Sequence, residues 1–223
     1  MSTPDVFSVV DSRVAFEGKI ATVRIDTLVM PGGGTADREI VEHDRAVAIV
    51  ALEDDGSVVL IEQYRHPLRR RLWELPAGLM DVQGESAQPA AARELGEETG
   101  LRAENWSVLL DVAASPGFTD EVVRVFLATG LTDIGRQGTV EHEEADLRVV
   151  RVPLATAVQA ALAGDIVNAS TVAGLLAAAI STGVAPAPAQ VQLRHGDDPW
   201  TDTAAVRYDG PGVPHAPVLG AGG

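Results

Sequence analysis

Cysteine is absent from the 223 residues of this chain. Its absence excludes a disulfide framework, a thiolate metal site and a cysteine nucleophile, and a reducing cytoplasm is the compartment that fits best. A long apolar segment is also lacking, since residues 171–180 (TVAGLLAAAI) are too few to cross a bilayer. The first residues contain acids and no apolar stretch of signal-peptide length. We expect a soluble, cytoplasmic protein with no membrane partner.

Basic residues are scarce in this sequence. Lysine and arginine total 17 against 32 acidic residues, which gives a formal net charge of -15. Such a charge repels the phosphate backbone of nucleic acids, so we expect neither DNA nor RNA as a partner. A small anionic nucleotide remains compatible with it, because a bound metal and a few arginines override the global field locally.

What the chain does contain suits one globular domain. The hydrophobic fraction is 46%, and the length is sufficient for a single packed core. We assign residues 1–184 to this domain, with an N-terminal β-arm at about residues 14–44. From residue 185 to 223 the composition shifts to Pro, Gly and Ala without a sustained period, which predicts a C-terminal tail that is irregular or draped over the surface.

Hydrophobic patterning predicts an α/β fold. Residues 14–43 alternate between apolar and polar around the turn PGGG at residues 31–34, which is typical of a hairpin or a long β-arm. Further strands are predicted at residues 46–52, 57–64, 106–113, 122–128 and 147–152, and helices at residues 85–99, 154–163 and 170–182. This order of sheet, helix, sheet and helices predicts an α/β/α sandwich.

Acidic residues cluster between residues 78 and 101. Glu85 is followed, after seven residues, by the run RELGEE at residues 93–98. On a helix, Glu94, Glu97 and Glu98 share one face, where like charges repel by roughly 0.2–0.5 kcal/mol per pair. A hard cation such as Mg²⁺ would turn this repulsion into coordination, since it takes oxygen ligands from carboxylates and substrate phosphates. A solvated acidic surface is the alternative, but it requires neither Arg93 nor glycines on both sides of the helix.

The pattern resembles the Nudix signature, G-x5-E-x7-R-E-U-x-E-E-x-G-U, with U a bulky aliphatic residue. Every fixed position after the first glycine is matched, while six residues instead of five separate Gly78 from Glu85. The segments QYR (63–65), RLWELPAG (71–78) and SPGF (115–118) resemble the ADP-ribose pyrophosphatase branch, which is marked by a proline sixteen residues past the signature's closing glycine. The extra loop residue is similar to actinobacterial members of that branch. The resemblance spans about residues 15–183 and implies a mixed sheet.

The resemblance implies a Mg²⁺ site, with Mn²⁺ as an alternative metal. Arg93 would orient Glu94 or Glu85, because its planar fork suits bidentate contact with a carboxylate. An Arg–Glu salt bridge without function is the alternative. The implied ligands are Glu94, Glu98 and the backbone carbonyl of Ala77, with Glu97 and Glu85 as supporting ligands or partners of Arg93.

In the same branch the general base comes from a loop far downstream, which corresponds here to the acidic run at residues 141–146. We favour Glu144 as the base, with Glu143 as the alternative, and Asp146 as an additional metal contact. His142 could act by its pKa alone. A carboxylate suffices, however, when a bound metal has already acidified the water.

Several residues are expected to contact the substrate. Arg38 and Arg65 suit the diphosphate or the adenosine, Glu74 suits a ribose or an adenine, and Trp73 suits stacking or core packing. The family exchanges its β-arm between two subunits, which implies a homodimer in which Arg38 serves the neighbour's site. The segment that marks the branch adds Pro116, Gly117 and Phe118.

These resemblances imply hydrolysis of the diphosphate of ADP-ribose to AMP and ribose 5-phosphate by a metal-activated water. The same chemistry on another nucleoside diphosphate derivative, such as a different ADP-sugar or a dinucleotide, is an alternative because the signature holds only the diphosphate. A non-catalytic ADP-ribose-binding sensor is disfavoured, since neither the metal-ligand glutamates nor the downstream acidic run is lost.

Overall fold

The computed structural model of the protein describes residues 6–137, 146–184 and Leu219. Leu219, from the predicted tail, packs against the core. The helices are α1 (Ala87–Thr99), α2 (Leu154–Ala163) and α3 (Ala169–Thr182), with one 3-10 turn at His66–Leu68. The strands are β1 (Val9–Glu17), β2 (Ala21–Val29), β3 (Thr35–His43), β4 (Ala46–Ala51), β5 (Ser57–Arg65), β6 (Arg70–Glu74), β7 (Ala77–Leu79), β8 (Leu101–Ala113), β9 (Val122–Asp133) and β10 (Arg148–Pro153).

The N-terminal arm is an antiparallel sheet of three strands in the order β1-β2-β3. The turn between β2 and β3 contains Gly33 and Gly34, whose φ values of 83° and 77° are readily adopted by glycine. The predicted β-arm is therefore confirmed. It begins at Val9, earlier than the predicted residue 14, because β2 is long enough to pair with the whole of β1.

The body of the fold contains two sheets. Four strands lie in the order β7-β4-β9-β8, and three lie in the order β10-β5-β6. Strands β4 and β9 are parallel, whereas the other neighbours in these sheets are antiparallel, so the mixed sheet is confirmed. Every residue of β4 is buried, as a continuous apolar run predicts for a strand covered on both faces.

Helices cover both faces of the four-stranded sheet. On one face, Val47 and Ile49 of β4 belong to the same buried cluster as Leu95 of α1. On the other face, Val50 of β4 belongs to a cluster with Leu175 of α3. These layers confirm the predicted α/β/α sandwich. No helix in the described part of the chain is long and apolar enough to span a membrane.

The boundaries of the acidic helix differ slightly from the prediction. α1 begins at Ala87, with Ser86 at the N-cap position, although the Ser86 side chain makes no capping hydrogen bond. It ends at Gly100, whose φ of 73° is the left-handed conformation in which helices commonly stop. The predicted helix is thus confirmed with a start two residues later.

Candidate active site

The side chain of Glu94 packs directly against the backbone of Gly78. α1 crosses β7 at this point, and a Cβ built on Gly78 would lie 2.0 Å from Cδ of Glu94. Any side chain at position 78 would force the Glu94 carboxylate to move from this position. The first glycine of the signature, Gly78, and its second glutamate, Glu94, are therefore in direct contact.

Glu98 lies one helical turn further along α1 and is only 5% exposed. Its Oε2 accepts a hydrogen bond of 2.9 Å from the backbone N–H of Ala77. Burial raises the pKa of Glu98 to about 8, although the Ala77 bond acts in the opposite direction, and the nearby carboxylates of Glu94 and Glu74 raise it further. A buried carboxylate of this kind favours either a proton or a cation close to it.

Arg93 joins three of the signature glutamates. Its guanidinium lies 2.6 Å from Glu94, 3.1 Å from Glu85 and 3.2 Å from Glu97. The hydrogen bond to Glu85, together with the charge of Glu94, raises the pKa of Arg93 above its ordinary value. Burial nevertheless raises the pKa of the Glu94 carboxyl. The arginine offsets part of the repulsion on this helix face and fixes the Glu85 loop to α1.

The arrangement of oxygen donors is compatible with a divalent cation. Glu94 and Glu98 both face the Ala77–Gly78 backbone. Arg93 pairs with Glu85, Glu94 and Glu97, so Glu94 contacts both the arginine and the backbone of β7. Within the described residues, no group of three acidic or histidine side chains surrounds one point. Mg²⁺ usually binds through one or two protein carboxylates and completes its shell with water and substrate phosphates.

Arg65 and Glu74 form a second charged element beside these carboxylates. Nε and Nη2 of Arg65 donate to the two oxygens of Glu74 at 2.8 and 2.6 Å. Glu74 is 2% exposed, whereas the Arg65 side chain is 41% exposed. The charge of Arg65 lowers the pKa of Glu98. The guanidinium is therefore close enough to Glu98 for both side chains to interact with one bound molecule.

A cavity of about 410 Å³ opens next to this pair. Its wall is mostly apolar, which suits the body of a nucleoside or sugar rather than a phosphate. Of the residues that line the cavity, only Arg65 and Glu74 were predicted from the sequence. The HPL segment directly after β5, which forms a 3-10 turn, could have indicated the rest. The lining residues are Arg65, Pro67, Leu68, Leu72, Glu74, Val167 and Asn168.

The branch-marking segment lies on the loop between β8 and β9. Pro116, Gly117 and Phe118 are all exposed, and the Phe118 side chain is 56% exposed. The loop is attached to the arm, because the Val41 N–H donates to the Phe118 carbonyl at 2.7 Å. These residues are therefore accessible to a ligand.

Other predicted residues do not join this group. Trp73 is 2% exposed in the core, with the Arg148 guanidinium 4.9 Å from its ring centre, so the packing alternative is the one that the structure supports. Arg38 remains within the arm, where it donates to the Asp37 carbonyl. Asp146 pairs with Arg71. The candidate bases Glu143 and Glu144, and also His142, lie outside the described residues.

Comparisons with known proteins agree with this geometry. Residues 42–171 match the NUDIX domain. The chain is 49% identical over 197 residues to an ADP-ribose pyrophosphatase of Mycobacterium tuberculosis (strain ATCC 25618 / H37Rv), covering 88% of this chain and 92% of that protein. It is 35% identical over 156 residues to an ADP-ribose pyrophosphatase of Bacillus subtilis (strain 168), covering 70% and 83%. The crystal structure of an ADP compounds hydrolase shares the fold, with a TM-score of 0.70 at 23% identity, covering 82% of this chain and 100% of that one.

Proposed function

The chain belongs to the Nudix family and is a Nudix hydrolase, and on this basis we propose that it hydrolyses the diphosphate of ADP-ribose to AMP and ribose 5-phosphate. One observation carries the proposal. The bidentate Arg65–Glu74 pair acts electrostatically on Glu98 and lines an apolar cavity. Cationic, acidic and apolar groups are thus adjacent, as a nucleoside diphosphate sugar requires. The names of the relatives from M. tuberculosis and B. subtilis support ADP-ribose as the substrate.

We propose that the site binds Mg²⁺, with Mn²⁺ as the alternative metal. Glu94, Glu98 and the carbonyl oxygen of Ala77 would hold it, because both carboxylates face the Ala77–Gly78 backbone and all three offer hard oxygen donors. When bound, the cation neutralises phosphate charge and makes water a stronger acid. Glu85 and Glu97 act indirectly, through Arg93, by keeping Glu94 in its position.

The protein's own groups have separate tasks in this proposal. Arg65 contacts the diphosphate, and Glu74 fixes the plane of its guanidinium. Glu144 removes the proton from the attacking water, and Glu143 is the alternative base. Phe118 and its neighbours contact the part of the substrate beyond the phosphates.

We further propose that the protein is a homodimer formed through the arm. All nine residues of β1 are exposed in the single chain, and they include the large apolar side chains Val9, Val10, Val14 and Phe16, each more than half exposed. Several large apolar side chains exposed on one strand favour an interface with another chain. Arg38, also exposed on this arm, is then available to the neighbour's substrate.

A hydrolysis assay with a substrate panel tests the proposal. The wild-type protein is incubated with Mg²⁺ and either ADP-ribose, another ADP-sugar or a dinucleotide, and the nucleotide products are separated. We expect AMP from ADP-ribose with the highest kcat/KM of the panel. Cleavage of another diphosphate without cleavage of ADP-ribose would refute the substrate assignment, and cleavage of none would refute the enzymatic proposal.

A further inference from the structure

The loop between β8 and β9 is attached to the edge of strand β3. Val41 donates its N–H to the carbonyl of Phe118 at 2.7 Å and accepts a longer bond of 3.4 Å from the N–H of Asp120. Val41 and Thr119 also form a parallel bridge. Two residues further along β3, the N–H of His43 donates to Oδ1 of Asp120 at 2.9 Å. The loop is therefore joined to the edge of β3 by one isolated bridge, and the Asp120 side chain adds a bond to the His43 backbone.

The same part of the arm contacts the segment that follows the signature glycine. The N–H of Met80 donates to the carbonyl of Arg45 at 2.8 Å. Met80 directly follows β7, whose Gly78 packs against Glu94. Residues 41–45 thus make backbone hydrogen bonds both to the loop of Phe118 and to the segment after β7, which lies beside Glu94. The two segments are far apart in sequence.

Phe118 is exposed, although its backbone makes hydrogen bonds on both sides of the residue. Its N–H donates to the carbonyl of Ser115 at 3.0 Å, and its own carbonyl accepts the bond from Val41. The side chain is nevertheless 56% exposed. A large apolar side chain on a fixed backbone loses little conformational freedom when a ligand contacts it. The loop is therefore suited to presenting this ring to a ligand.

We propose that Asp120 is a positioning residue for substrate binding, which acts through Phe118 on the part of the substrate beyond the phosphates. The inference rests on the proposed function, because it takes a nucleoside diphosphate derivative as the ligand. Loss of the Asp120 carboxylate leaves the backbone bonds of Val41 in place, so the loop loosens without unfolding. Substrate affinity then falls, while the chemistry at Glu94 and Glu98 is unchanged.

Steady-state kinetics with ADP-ribose and Mg²⁺ test the proposal on Asp120→Ala and Asp120→Asn. We expect Asp120→Ala to raise KM by about 3- to 10-fold, as for loss of one hydrogen bond, with kcat within about 2-fold. Asp120→Asn restores most of the affinity, because its amide oxygen accepts the same bond. The matched control is Asp133→Ala, since Oδ1 of Asp133 accepts a bond of 2.9 Å from the N–H of Gly135 at the other end of β9. This control leaves KM unchanged.

A double-mutant cycle tests whether Asp120 acts through Phe118. Phe118→Ala alone raises KM, and adding Asp120→Ala changes it no further, because both variants remove the same contact. Additive effects, a wild-type KM in Asp120→Ala, or an equal loss in Asp133→Ala would overturn the inference, as would a fall in kcat at constant KM. If Asp120→Ala does not fold, Asp120→Glu, which shifts the carboxylate by one methylene, is measured in its place.

The wild-type protein and Asp120→Ala together distinguish a failure of the inference from a failure of the proposed function. A wild-type protein that cleaves ADP-ribose, with Asp120→Ala indistinguishable from it, refutes the inference on Asp120 alone. A wild-type protein that does not cleave ADP-ribose refutes the proposed function and, with it, the inference.

Discussion

The carboxylate of Glu94 lies where a side chain on Gly78 would have to be. A Cβ at position 78 would stand 2.2 and 2.5 Å from the two carboxylate oxygens of Glu94. Gly78 is not among the glycines with positive φ, so glycine is needed here for space and not for backbone conformation. The position of the Glu94 carboxylate against β7 therefore depends on the absence of a side chain at Gly78.

Gly78→Ala is expected to displace Glu94 and to lower metal affinity or activity by about 10- to 100-fold, as for other changes that misplace a metal ligand. The measurement is kcat/KM for ADP-ribose over a Mg²⁺ titration, and the control is Gly32→Ala, because a Cβ at that position meets nothing within 4 Å. Full activity of Gly78→Ala at the same Mg²⁺ concentration would show that the Glu94 position is not critical.

Glu98 gives the metal-free protein a pH-dependent stability. Burial raises its pKa in the folded state to about 8 from the ordinary 4.5, so the folded state binds the proton more tightly than the unfolded state. Stability from this group is complete below about pH 4.5, falls as pH rises towards 8 and is constant above that.

Glu98→Gln removes this titration while retaining an oxygen that accepts the bond from Ala77. We expect its stability advantage over wild type, measured by urea unfolding in EDTA, to grow between pH 5 and pH 8. An advantage that is independent of pH would contradict the assignment. Added Mg²⁺ stabilises the wild type and not the variant, because the cation binds the ionised carboxylate.

Arg93→Gln is expected to destabilise the fold by about 1.5–3 kcal/mol, which is typical of hydrogen bonds to charged groups, since it releases Glu85, Glu94 and Glu97 from a common partner. The measurement is chemical unfolding in EDTA. Arg124→Gln is the control, because the Arg124–Asp111 pair has similar bidentate geometry on the exposed surface and such pairs contribute little. Equal losses in both variants would show that the Arg93 contacts are no more than a surface pair.

Glu144→Gln is expected to lower kcat by about 10²-fold or more with little change in KM, as for removal of a general base. Glu143→Gln serves as the matched variant because it makes the same change one residue earlier. A large loss in Glu143→Gln with Glu144→Gln nearly silent would reassign the base.

The acidic helix could be predicted because its information is local. The spacing of Glu94, Glu97 and Glu98 places them on one helix face whatever the rest of the chain does. The helix's partners could not be predicted in this way. The bond between Glu98 and the Ala77 N–H joins residues 21 positions apart and exists only because α1 packs on β7.

Trp73 and Glu74 show a second limit of sequence reasoning. Neighbouring residues of a strand point to opposite faces, so one of the two had to lie away from the site. β6 has only five residues and is separated from β7 by Leu75 and Pro76. This strand is too short for an apolar–polar alternation to predict which of its side chains face the core. The hydrogen bond between Asp120 and the His43 N–H joins residues 77 positions apart. It could not be predicted from the sequence either, because it depends on where the arm meets β4.

The role of Glu98 in metal-dependent hydrolysis is tested by AMP release from ADP-ribose with wild type, Glu98→Gln and the matched control Glu104→Gln, whose glutamate is exposed on β8. Activity is measured over a Mg²⁺ titration and again after EDTA. We predict Mg²⁺-dependent AMP release by the wild type and by Glu104→Gln, abolished by EDTA, with a loss of about 10²-fold or more in Glu98→Gln. AMP release that persists in EDTA, or that is equal in the wild type and in Glu98→Gln, would show that hydrolysis does not depend on a metal bound by Glu98.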